Sequence, residues 1–142
     1  MLLLEAMLAV EDKDALIRAI GAALPPGGRF AFTLEEGEPL EPAEQAAMPD
    51  PDTVWLTPLE ELTASLERAG LTLTWRADSS RAHRAMAQAL IDAYTADREN
   101  ITAQLGRRAL DDLLAAHRLW VEWLDSGRVR KLALVAQANG IG

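Results

Sequence analysis

Cysteine is absent from the 142 residues. Neither a disulfide framework nor a thiolate metal site can form, and an intracellular, cytoplasmic chain is the simpler reading. Lysine is scarce, with Lys13 and Lys131 the only two among 14 basic residues. Long apolar runs are missing as well. The longest fall far short of the roughly 20 residues that a membrane helix needs. The apolar opening, Met1 to Val10, holds Glu5 and lacks a basic stretch, and Glu11, Asp12 and Asp14 follow it at once, so it does not read as a signal peptide. Neither His83 nor His117 has a partner at metal-ligand spacing, and the expectation for each is a ring satisfied by local hydrogen bonds. No Ser/His/Asp set is apparent, and no metal site is expected. Gly140-Ile141-Gly142 has the spelling of a nucleotide loop but no helix to follow it.

What is present is an ordinary globular balance, 49% apolar and 25% charged, enough for one domain with its own core. The net charge is −8 and uneven. Residues 1–61 carry 13 acids and 3 bases, and residues 62–142 carry 9 acids and 11 bases. An acidic first half and a balanced second half exclude a nucleic-acid or anionic-membrane surface.

Along the chain, Leu2 to Leu4 is a short apolar run. Asp12 then caps a helix whose stripe is Ala15, Leu16, Ala19, Ile20 and Ala23. Leu24-Pro-Pro-Gly-Gly28 stops it, and Arg29–Leu34 reads as a buried strand. Residues 35–54, rich in Glu, Pro and Ala, read as a loop or lid. Thr57-Pro58-Leu59-Glu60 predicts a helix start with Thr57 as cap, and Gly70 a left-handed stop. Leu71-Thr-Leu-Thr-Trp75 alternates as a strand. Residues 79–126 predict two helices broken at Gly106, and Val129–Ala136 a final strand. The order of elements argues for an α/β layered domain with a partly parallel sheet.

Three stretches, taken in order, resemble a known family. Leu24-Pro-Pro-Gly27-Gly28-Arg29-Phe30 is similar to the turn into strand five of class I, Rossmann-like, S-adenosylmethionine-dependent methyltransferases. Trp55-Leu-Thr57-Pro58, followed by a helix ending Arg68-Ala69-Gly70-Leu71, is similar to the helix before strand six. Leu124-Asp-Ser-Gly127, followed by Arg128 to Val135, resembles the last helix and strand seven. The resemblance spans residues 2–137 and points to the small-molecule branch. It implies an α/β fold with strands corresponding to 5, 6, 7 and a remnant of 4, with a two-helix insertion (79–126, a cap over substrate) before the last strand.

The resemblance also implies what each candidate residue does. The family grips S-adenosylmethionine mainly through a glycine-rich first half, which has no counterpart here, so this chain alone is expected to bind the cofactor weakly or not at all and to be inactive. Glu5, Met7 and Leu8 map to the segment that lines the cofactor. Met7 and Leu8 either cover it or pack as helix core. Many relatives have a histidine where this chain has Ala9, which leaves the general base unassigned. Glu35 and Glu36 follow strand five and either receive a cationic amine or begin a solvated acidic loop. Trp55 either stacks on substrate or anchors the loop. Tyr94 and Trp120 either face a pocket or pack as core. Without a full fourth strand, the sheet edge at 29–34 is expected to pair with a second copy or with a separate N-terminal half. The alternative function is a non-catalytic, methyltransferase-derived dimerisation or regulatory module.

Overall fold

A computed structural model describes residues 1–3 and 7–140. Its centre is a four-stranded sheet: β1 (Leu2–Leu3), β2 (Arg29–Glu36), β3 (Leu71–Asp78) and β4 (Arg130–Ala138). The spatial order is β1-β2-β4-β3. β1 runs parallel to β2, with Leu2 opposite Ala31 and Leu3 opposite Phe32. β4 lies between β2 and β3 and is antiparallel to both. The remnant strand is thus present as the short edge Leu2–Leu3, which covers Ala31 and Phe32, while β4 pairs the whole of β2 on the other side.

Alternation along β2 and β4 gives the sheet two unlike faces. Phe30, Phe32, Leu34, Leu132, Leu134 and Ala136 point to one side, where all are essentially inaccessible to water. The helices α1 (Lys13–Ala23) and α3 (Leu59–Arg68) cover that side with Ile17, Ile20, Leu62 and Leu66. Asp12 caps α1 as expected, accepting from the Ala15 amide at 3.0 Å. The two helices touch at Gly21, where a Cβ would meet the Ala69 carbonyl at 2.6 Å.

The start of α3 departs from expectation. Thr57 does not cap it. Thr57 instead forms a bridge with Glu36, and the helix begins at Leu59, whose amide donates to Glu36 Oε2 at 3.1 Å. A carboxylate from another strand performs the capping that the local Thr-Pro-Leu-Glu pattern had promised.

On the opposite face, the insertion packs α4 (Ser80–Ala96) along α6 (Arg107–Ser126). The first of the two expected helices is divided at Asp97, leaving α5 (Arg98–Leu105) as a short separate piece. Ile91, Leu110 and Leu114 form the core of this helical layer.

β3 carries a bulge between Leu73 and Trp75. Strict alternation from Leu71 through Leu73 would send Trp75 into the core. The extra residue places it instead beside Val135, on the other face, where it is 54% exposed.

Residues 37–54 are folded against the body rather than forming an irregular loop. They contain α2 (Pro42–Ala47), and Leu40, Met48, Val54 and Leu56 bury themselves against Trp123 and Val129. Arg128 fastens the segment. Its Nε and one terminal nitrogen donate to the two Glu44 oxygens, each at 2.8 Å. The guanidinium also donates to the Glu38 and Pro39 carbonyls at 2.9 and 3.1 Å. Those bonds hold the Glu44 carboxyl below its ordinary range. Forked, charge-assisted bonds of this kind depend on the planar guanidinium. Arg128→Lys should therefore cost about 1 kcal/mol and Arg128→Met about 2 kcal/mol of stability, read from urea midpoints at constant slope. A neutral result for Arg128→Met would mean that the segment is held by its apolar contacts alone.

Candidate functional site

The carboxyl end of β2 meets the start of β4 in two cross-strand acid–base pairs. Glu36 faces Arg130, and Glu35 faces Lys131. Because neighbouring residues on a strand point to opposite faces, the pairs separate. Glu36 turns toward α3, where Oε1 accepts from Arg130 Nε at 2.7 Å while Oε2 caps the helix. Glu35 turns toward α4 and α6. Its Oε1 pairs with Lys131 Nζ, and both side chains are more than nine-tenths buried.

A cleft of about 220 Å³ opens above the Glu35–Lys131 pair. Its walls are Leu8, Met86, Leu90, Trp120 and Leu124, with His83 and His117 set among them. α4 contributes His83, Met86 and Leu90, and α6 contributes His117, Trp120 and Leu124. The helical spacing i, i+3, i+7 on both helices puts each trio on one face. The result is an apolar slot with a charged floor, the usual make-up of a small-molecule site. Glu35 Oε2 has no hydrogen-bond partner among the described residues. A buried acceptor left in that state carries a desolvation cost of about 1–3 kcal/mol.

The expected site residues divide. Leu8 and Glu35 line the cleft, and Trp120 joins them. Glu5 lies outside the described residues. Met7 is wholly buried in the core under α1, so it offers no surface to a ligand. Glu36 is taken up by Arg130 and the α3 cap. Glu35 and Glu36 are the last residues of β2 rather than the start of a solvated loop, and they do not converge on one ligand. Trp55 anchors local structure. Its indole donates to the Asp52 carbonyl at 2.7 Å, and its amide donates to the Leu8 carbonyl at 2.8 Å. Tyr94 packs edge-on against His117, with ring centres 5.9 Å apart.

His83, His117 and Lys131 are cleft residues that the sequence did not single out as ligand-facing. His117 is locally bonded, as expected, through Nδ1 to the Leu113 carbonyl at 2.7 Å. The available signal was the shared spacing of His117, Trp120 and Leu124. Among the described residues no cluster of His, Asp or Glu could hold a metal ion, and no helix is long and apolar enough to cross a membrane. For S-adenosylmethionine, the described part of the segment expected to line it offers one apolar side chain, Leu8, and no polar grip.

Lys13 is buried at the start of α1. Its ammonium donates to the Val10 and Trp55 carbonyls at 2.8 and 2.6 Å. Burial lowers its pKa to about 8, against the opposing pull of the Glu35 charge. A lysine whose pKa falls on folding binds fewer protons in the folded chain. Stability from this group is therefore constant below about pH 8 and rises as the pH climbs toward 10.5. Between pH 7.5 and 9.5 the wild type should gain about 2 kcal/mol relative to Lys13→Met, read from paired urea titrations. Parallel pH profiles for the two proteins would assign the proton uptake elsewhere.

Comparison with known proteins finds no matching family model. No curated protein matches either. Solved structures do. The chain superposes with a TM-score of 0.85 and 12% identity on a protein from Galdieria sulphuraria assigned as a sarcosine dimethylglycine methyltransferase, covering 99% of this chain and 53% of that one. A phosphoethanolamine N-methyltransferase from Haemonchus contortus, solved with phosphomonomethylethanolamine and S-adenosylhomocysteine, gives a TM-score of 0.78 at 16% identity, over 99% and 33%. The [4+2]-cyclase SpnF gives 0.71 at 19%, over 99% and 50%. The chain thus has the fold of the C-terminal half of class I methyltransferases and spans a third to a half of these proteins. A cyclase among them shows that the fold alone does not fix the reaction.

Proposed function

We propose that this chain is the substrate-side half of an S-adenosylmethionine-dependent small-molecule methyltransferase. The observation that supports it best is the match over 99% of the chain to methyltransferase structures of which it spans at most about half. The cleft beside the carboxyl end of β2 agrees with this reading, since open α/β sheets take ligands at that edge. The cofactor is gripped by residues outside the cleft, supplied by a complementary N-terminal half, and methyl transfer needs that half in place.

The chain's own surface carries a contact for it. Leu2, Ala31, Val135 and Trp75 are successive register partners across all four strands, so they form one apolar row on the sheet face away from α1 and α3. Its two ends are open, with Leu2 66% and Trp75 54% exposed. We take this row as the contact for a partner. In the absence of the complementary half, the same row and the β1–β2 edge bring two copies of the chain together.

Light scattering of the 142 residues should give about twice the 15.5 kDa of one chain. S-adenosylhomocysteine titrated into the same sample at micromolar concentration should release no heat. Trp75→Asp should return the protein to a monomer without loss of fold. Stoichiometric cofactor binding by a monomer would refute the half-site reading. A Trp75→Asp protein that stays dimeric would move the contact away from the row.

A further inference from the structure

His117 is set up as an acceptor by its own helix. The Leu113 carbonyl can only accept, so the ring nitrogen 2.7 Å from it, Nδ1, carries the proton. A neutral imidazole then keeps its lone pair on Nε2. Nδ1 is turned back on the helix and Tyr94 lies edge-on to the ring, while the ring lines the cleft. The far edge, with Nε2, is the part left to face a ligand.

The floor decides the charge of that ligand. Among the described lining residues Glu35 is the one acid, and its charge is answered by Lys131 beside it. An ammonium entering here would sit against a buried ammonium, so the ion pair disfavours a cationic amine and tolerates a neutral group. The walls and the volume decide its size. An apolar cavity of about 150 Å³ takes one benzene ring. At about 220 Å³, the cleft has room for a ring and a short substituent. Trp120 and the Met86 thioether suit an aromatic body.

We propose that this cleft binds a neutral one-ring aryl alcohol, whose hydroxyl donates to His117 Nε2 while its ring lies among Met86, Leu90, Trp120 and Leu124. The proposal deepens the reading above and rests on it only for the later fate of the bound hydroxyl. Binding is measured on this chain without cofactor or second half, so its failure and the failure of the half-site reading are seen in separate experiments.

The probes are 4-ethylphenol, 4-ethyltoluene and 4-ethylbenzylamine, titrated into the wild-type chain at pH 8 and followed by calorimetry and amide chemical shifts. The phenol should bind at least tenfold more tightly than the toluene and more tightly than the amine. His117→Phe should bring phenol and toluene to equal affinity. Nitrogen-15 spectra of the wild type at pH 8 should show His117 protonated on Nδ1, with the Nε2 resonance shifting when 4-ethylphenol is added. Equal binding of phenol and toluene, tightest binding of the amine, or no binding of any probe at millimolar concentration would overturn the proposal. A proton found on Nε2 would overturn it as well, a readout that needs no variant to fold.

Discussion

The antiparallel insertion of β4 between β2 and β3 is the constraint on which the rest of this molecule depends. It sets Glu35 and Glu36 opposite Lys131 and Arg130. The pleat then sends one pair to each side of the sheet. On one side, Glu36 starts α3 and so positions the helical layer that buries the core. On the other, Glu35 and Lys131 make the floor of the cleft. A one-residue slip in that register would exchange the two faces, leaving α3 without its cap and the cleft without its floor.

Burial gives the floor its character. The Glu35–Lys131 pair and Lys13 lie where water cannot screen them, so each charge depends on a short list of partners. Replacing such a pair by apolar residues need not weaken a fold, whereas removing one member does. Charges kept in this setting make sense as parts of a site more readily than as sources of stability. The apolar helices above them complete a slot with few polar groups, each fixed in direction by a neighbour.

Much of this was legible in the sequence, and the failures have physical causes. The Asp12 cap, the stop at Gly70 and the strand Arg29–Leu34 are local events, and local chemistry predicted them. Thr57 failed as a cap because a distant carboxylate offered the Leu59 amide a better acceptor. The break at Asp97 lacks glycine or proline, so no punctuation announced it. Residues 37–54 looked unpatterned because their buried apolar members, Leu40, Met48 and Val54, follow neither helical nor strand spacing. Glu35 was singled out for its place at the carboxyl end of a strand, but most of the residues that share its cleft come from helices about fifty to ninety positions later. His117 was expected to be satisfied by a local hydrogen bond, and the Leu113 carbonyl four residues back supplies it.

The bulge in β3 shows how little is needed to make a surface. Between Leu73 and Trp75 one additional residue reverses the parity of the strand. The tryptophan is therefore outside by virtue of counting, not of chemistry. The same residues paired without a bulge would set Trp75 opposite Leu134 and turn the indole into the interior. A bulge lets a strand take up one inserted residue while the residues on either side keep their faces, whereas the same insertion without a bulge would turn over everything beyond it. What Trp75 displays thus depends on where the strand takes up its extra residue, with no change in the residues of the row itself.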